Sequence, residues 1–223
     1  MSASPSWQAV LFDLDGTLVD SAPDLAGAAN DLRAEHGLEA LAYEVLRPLV
    51  GSGARGMVGA AFGARPGDEG YEALRARFLD LYGGRLLRHT QVFDEVWLLI
   101  DTLERAGLRW GIVTNKAEHL ALQVAGGLGL HPRVGALVGG DTTPHAKPHP
   151  APLLEGARRL GIEPARCLYV GDDLRDIQAG RAAGMAPLAA AWGYLGAGEP
   201  VHAWGADAVL ESPAGLLQWL RVA

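Results

Sequence analysis

The chain has 223 residues, 49% of them apolar and 20% charged, with a formal net charge of −7. That length holds a full hydrophobic core, and the acidic balance argues against nucleic acid as a partner, because affinity there rests on many cations neutralising phosphates. Cys167 is the only cysteine, which rules out an intrachain disulfide and points to a reducing compartment. The opening residues lack the basic start and apolar stretch of a signal peptide, and no apolar run approaches bilayer-spanning length. The expectation is a cytoplasmic protein without a membrane partner, as a monomer or homodimer.

Residues 1–7 are polar apart from Trp7 and read as a frayed start. Val10-Leu11-Phe12 then runs into Asp13-Leu14-Asp15-Gly16-Thr17-Leu18. An apolar run this short, ended by a glycine, reads as a buried strand. Asp20-Ser21-Ala22-Pro23 supplies cap residues and a proline tolerated in a first turn, opening a helix to about His36. A short helical stretch spans 43–50, residues 51–63 are rich in Gly and Ala, and 69–88 carries an amphipathic helix pattern. Residues 20–90 thus read as almost wholly helical, with no strand. Strands at 109–114, 135–138, 167–170, 187–191 and 208–210 then alternate with helices at 95–105, 117–129, 150–160, 174–183 and 213–222. Such alternation predicts parallel pairing with right-handed crossovers. The expected architecture is an α/β, doubly wound, Rossmann-like sheet formed by 1–19 and 91–223, with a small helical domain, 20–90, inserted after the first strand.

Chemistry in such sheets sits beyond the carboxyl ends of the strands. Asp13 and Asp15 end the first strand, where two carboxylates repel each other and need a cation between them, most simply magnesium. Thr114, Asn115 and Lys116 follow the second, offering a hydroxyl, an amide and a helix start to phosphate oxygens. Lys147, in His145-Ala146-Lys147-Pro148-His149-Pro150, sits on backbone restricted by prolines and is placed to neutralise a phosphoryl group. The alternating histidines suggest zinc, but neither Cys nor HExxH-type partners accompany them. Gly171-Asp172-Asp173-Leu174-Arg175-Asp176 opens a helix with three carboxylates, of which the helix dipole accounts for one or two. Asp172 then faces the metal that Asp13 also holds. Gly51-Ser52-Gly53-Ala54-Arg55-Gly56 matches GxGxxG, yet it follows a helical stretch rather than a strand, so it reads as a flexible loop and not a dinucleotide site.

Together, Asp13-x-Asp15-Gly16-Thr17, Thr114-Asn115, Lys147-Pro148 and Gly171-Asp172-Asp173-x-x-Asp176 resemble, in order and separation, the motifs of the haloacid dehalogenase superfamily. The helical insertion is similar to the cap of its phosphoglycolate phosphatase group. Gly53–Val58, Gly171–Ile177, Trp192-Gly193-Tyr194 and Trp204-Gly205-Ala206-Asp207 further resemble bacterial N-acetylmuramic acid 6-phosphate phosphatases. One departure is Phe93-Asp94-Glu95-Val96, where many relatives carry Pro-Gly; it bears on loop geometry rather than chemistry.

The resemblance implies that Asp13 is the nucleophile, forming an aspartyl-phosphate, and that Asp15 is the general acid and then base. It implies that Asp13, the Asp15 carbonyl and Asp172 ligate Mg2+, with Asp173 and Asp176 orienting waters and Lys147 from behind them. Thr114, Lys147 and Gly16 would hold phosphoryl oxygens with Asn115, and Arg55 would reach a substrate carboxylate. The expected partner is a small phosphorylated metabolite, N-acetylmuramate 6-phosphate or 2-phosphoglycolate. A hexose-phosphate mutase of the same superfamily and a phospho-accepting receiver domain remain alternatives, though a receiver has no use for Asp15 or the insertion.

Overall fold

The computed structural model describes residues 7–222. The frayed start expected for 1–7 lies outside them except for Trp7, which packs on Trp219 with ring centroids 5.9 Å apart. Six parallel strands form the main sheet: β1 (Ala9–Phe12), β4 (Arg109–Val113), β5 (Ala136–Val138), β6 (Cys167–Gly171), β7 (Ala186–Ala190) and β8 (Ala208–Leu210), in the order β5-β4-β1-β6-β7-β8. Every strand residue from Ala9 to Phe12 is buried, as a strand covered on both faces requires. Val10 and Phe12 face one apolar layer with Ile112, Leu168 and Val170, whereas Ala9 and Leu11 face the other with Val113 and Tyr169. Helices α5 (Val96–Arg105), α6 (Glu118–Gly127) and α9 (Pro213–Leu220) cover the first layer, and α7 (Ala151–Leu160) and α8 (Leu174–Ala182) the second.

The chain runs from β1 outward through β4 to β5, then returns to β6 on the opposite side of β1. The carboxyl ends of β1 and β6 therefore flank the point where winding reverses, the place where open α/β sheets bind ligands. Four helices, α1 (Ala22–Glu35), α2 (Tyr43–Leu46), α3 (Gly53–Phe62) and α4 (Tyr71–Gly83), intervene between β1 and α5. Helices α1, α3 and α4 pack on one another.

Two local readings differ from the structure. The glycine-rich stretch after residue 50 is not a loop: a 3-10 turn, Arg47–Ser52, leads directly into α3. The helix forms because Met57, Val58 and Ala61 make a buried stripe at helical spacing. Gly56 has a packing reason, since a Cβ there would lie 2.5 Å from the Leu49 carbonyl oxygen. The second difference is an antiparallel ribbon, β2 (Val19–Asp20) with β3 (Gln91–Val92), at the two points where the helical segment leaves and rejoins the sheet. Two residues per strand carry no periodic signal. The buried Asp24 reinforces this junction, its Oδ2 accepting from the His89 and Thr90 amides and the Thr90 hydroxyl, each at 2.8 Å.

Candidate active site

Asp13 and Asp172 follow β1 and β6, neighbouring strands whose register pairs Phe12 with Val170. A cluster results: Asp13, Asp172 and Asp176 each place a carboxylate oxygen within 4.8 Å of the others. Lys147 is buried among them, its Nζ 2.9 Å from Asp13 Oδ1 and 2.7 Å from Asp176 Oδ1. The ammonium also reaches the Tyr169 hydroxyl at 2.8 Å and the Val113 carbonyl at 3.1 Å. Burial alone would depress the Lys147 pKa, but the Asp13 and Asp176 carboxylates outweigh it and raise it.

The charges do not balance. One ammonium faces three carboxylates, leaving two negative charges in excess in a desolvated pocket. Burial, with the Asp13 and Asp176 charges, pushes the Asp172 carboxyl well above its usual range. Burial pushes Asp176 up to about 6 despite its Lys147 partner. A hard divalent cation would supply the missing charge and prefers oxygen ligands, so the chemistry of these residues fits magnesium. Thr17 Oγ1 donates to Asp172 Oδ1 at 3.1 Å and the Tyr194 amide to Oδ2 at 2.8 Å. Gly16, at φ +85°, is forced by this arrangement, because its Cβ would stand 2.2 Å from Asp172 Oδ2.

Asp15 stands apart from the cluster. Its carboxylate accepts from Lys116 Nζ at 2.9 and 2.8 Å and from the Ser21 hydroxyl at 2.5 Å. Ser21 sits at the N-cap of α1 but makes no capping bond with its side chain. The Tyr194 hydroxyl takes over that duty, accepting from the Ser21 and Ala22 amides at 2.8 and 3.0 Å. Asp173 is the N-cap of α8 in a capping box with Asp176. Burial would raise the Asp173 carboxyl, but the Arg175 guanidinium at 2.7 Å holds it below the usual range. Asn115 pairs both ways with the Lys147 backbone, its Nδ2 donating to the carbonyl at 3.0 Å and its Oδ1 accepting from the amide at 2.9 Å. Its amide therefore positions the Lys147 loop. His145 and His149 stack at 4.3 Å outside the acidic cluster.

Over these side chains lies a cleft of about 500 Å³ between the strand ends and the helical layer, lined by Asp13, Asp15, Thr114, Asn115, Lys116, Arg55, Arg75, Tyr82 and Arg175 among others. Arg55, Arg75, Lys116 and Arg175 line it alongside Asp13, Asp15 and Asp141, and of these cations Lys116 and Arg175 are paired with Asp15 and Asp173. The spacing motifs identified Asp13, Asp172, Lys147 and Thr114. Ser21, Lys116, Tyr169 and Tyr194 enter the site through tertiary contacts; the sequence marks Ser21 only as a cap residue, Lys116 only as following Thr114-Asn115 and Tyr194 only within Trp192-Gly193-Tyr194, and nothing marks Tyr169.

Residues 7–184 match a family model described as haloacid dehalogenase-like hydrolase. A phosphoglycolate phosphatase of Xanthomonas campestris is 48% identical over 210 residues, covering 94% of both chains. An N-acetylmuramic acid 6-phosphate phosphatase of Pseudomonas aeruginosa is 42% identical over 214 residues, covering 96% of this chain and 94% of that one. The crystal structure of a predicted phosphoglycolate phosphatase from Haemophilus somnus superposes with a TM-score of 0.85 at 26% identity, over 96% of this chain and 98% of the other. Sheet order, strand-end carboxylates, buried lysine and sequence similarity agree: the chain belongs to the haloacid dehalogenase-like hydrolase family.

Proposed function

We propose that the protein is a magnesium-dependent phosphomonoesterase acting on a small, carboxylate-bearing phosphate ester through an aspartyl-phosphate. The buried, charge-deficient cluster of Asp13, Asp172, Asp176 and Lys147 at the reversal point of the sheet is the observation that carries this reading. Relatives named for phosphoglycolate and for N-acetylmuramic acid 6-phosphate support both as candidate substrates. Residues 20–90 are read as a cap that closes over the strand ends formed by 1–19 and 91–223.

Asp13 attacks phosphorus in line, forming an Oδ–P bond as the P–O bond to the leaving oxygen breaks. Lys147 fixes the Asp13 carboxylate and, with Thr114 and the Gly16 amide region, neutralises and orients phosphoryl oxygens. Asp15 gives its proton to the leaving alkoxide, then takes a proton from the water that displaces phosphate from Asp13. Asp13, Asp172 and the Asp15 carbonyl would hold magnesium, whose charge offsets that of the phosphoryl group. Asp176 anchors Lys147 from behind.

Inorganic phosphate release from a panel containing 2-phosphoglycolate, N-acetylmuramate 6-phosphate and hexose phosphates tests the reading. Release is expected with magnesium, and none with chelator or with Asp13→Asn, which should fold normally. Near-normal turnover by Asp13→Asn would overturn the nucleophile. Isomerised hexose phosphate without released phosphate would instead identify a mutase.

A further inference from the structure

The two aspartates of Asp13-x-Asp15 are held by different cations. Lys147 contacts Asp13, and Lys116 contacts Asp15 through both carboxylate oxygens. The chain has only these two lysines against 17 arginines, so each one contacts an aspartate of that motif. The pair is largely desolvated, with the Lys116 side chain 6% exposed and that of Asp15 16%.

A further neighbour of Lys116 comes from the helical layer. The ring of Tyr82, on α4, has its centroid 4.7 Å from Lys116 Nζ, a cation–π contact that desolvation strengthens. Tyr82 lines the cleft and is buried.

On the reading of Asp15 as the acid–base, we propose that Lys116 is a positioning residue that aims the Asp15 carboxyl at the leaving oxygen, and that Tyr82 makes this aim depend on the helical layer being seated. Lys116 transfers no proton. It restricts the Asp15 rotamers, and Tyr82 in turn fixes Lys116 from above. Lifting α4 removes the ring, hydrates the ammonium and frees Asp15 to turn away. Proton transfer to an alkoxide is then confined to the closed, water-poor state.

The test is single-turnover release of the leaving group from two esters. An alkyl phosphate that the parent hydrolyses (2-phosphoglycolate or N-acetylmuramate 6-phosphate) needs its leaving oxygen protonated, whereas 4-nitrophenyl phosphate does not. In Lys116→Met the ratio of alkyl to aryl release should fall about 10- to 100-fold, within the range general acid catalysis supplies. Asp15→Asn should lower the ratio at least as far, and the double variant no further than Asp15→Asn alone. Lys116→Arg should restore part of the ratio. Tyr82→Leu should lower it more than Tyr82→Phe, which keeps the ring. If Lys116→Met does not fold by circular dichroism, Lys116→Gln replaces it. Equal slowing of both esters, or additive losses in the double variant, would overturn the proposal. A parent that hydrolyses neither ester would overturn the phosphatase reading itself. A parent that hydrolyses both, with a ratio sensitive to Asp15→Asn, upholds that reading whatever Lys116 does.

Discussion

Lys147 has three N–H groups and four oxygen neighbours, so one hydrogen is shared. Tyr169 relieves the competition by donating its own proton to the Val113 carbonyl at 2.7 Å, leaving its oxygen to accept from the lysine. Tyr169→Phe should therefore loosen Lys147 without removing its charge. Losing this buried bond should cost about 1–2 kcal/mol, and thermal melts should show a midpoint lower by about 2–8 °C. Asp172 and Asp176 yield a prediction about pH. Both carboxyls have folded pKa values above their unfolded ones, Asp176 at about 6 and Asp172 well above the usual carboxylate range. Their stabilising effect in metal-free protein is complete below the unfolded carboxylate pKa and is lost as pH rises through the folded values. Chelated protein should thus melt at lower temperature at pH 8 than at pH 5.5, and magnesium should raise the midpoint more at pH 8, where it does not compete with protons. A magnesium effect independent of pH would contradict the charge count. Asp13 and Asp172 were legible in the sequence because a carboxylate directly after an apolar run has a placement that the strand itself dictates. Tyr169 was not, because a tyrosine inside a buried strand reads as core until its neighbour across the sheet is known.

Among the elements, periodicity found every strand of the main sheet and most helices, since each carries several residues of regular pattern. It failed where composition and packing disagreed. The glycines of α3 suggested a loop, yet the stripe of Met57, Val58 and Ala61 outweighs their entropic cost, roughly 1 kcal/mol each against alanine in a helix interior. The unusual Asp94-Glu95 pair also acquires a physical meaning. Glu95, before α5, adopts a left-handed conformation with φ 66°. That conformation costs a residue with a Cβ about 1–2 kcal/mol, partly offset by the extra unfolded-state freedom of glycine. Glu95→Gly should consequently raise the melting midpoint by about 1–3 °C, even though it removes the acceptor for the Ala214 amide at 3.2 Å. A lowered midpoint would show that this bond outweighs the backbone strain.

Taken whole, the molecule assembles its site from opposite ends of the chain, with one loop carrying much of the joinery. Trp192 Nε1 donates to the Thr17 carbonyl at 3.0 Å, and the Tyr194 amide holds Asp172. The Tyr194 hydroxyl holds the start of α1 and donates to Asp20 Oδ1 at 3.0 Å. Arg47, from the 3-10 turn of the helical layer, lies 5.1 Å from the Tyr194 ring centroid. Trp192-Gly193-Tyr194 was legible only as a resemblance, because its role is to connect places remote in sequence. The cleft between the layers gives a prediction at the same scale. Arg55 lines it and is exposed, free to pair with a carboxylate on a bound ester. Arg55→Met should raise KM for carboxylated esters by about tenfold or more, and much less for an uncharged aryl phosphate, with kcat little changed. Equal effects on both would remove Arg55 from recognition.

The scarcity of lysine has a practical consequence. Both ε-amines of the sequence are enclosed at the strand ends, so amine-directed chemistry at side chains can reach nothing else. Reductive methylation with a ¹³C label would install at most two ε-dimethylamine probes, both in the reaction chamber. The rate of their appearance would clock how often the chamber opens to solvent, and an added phosphate mimic should slow that clock.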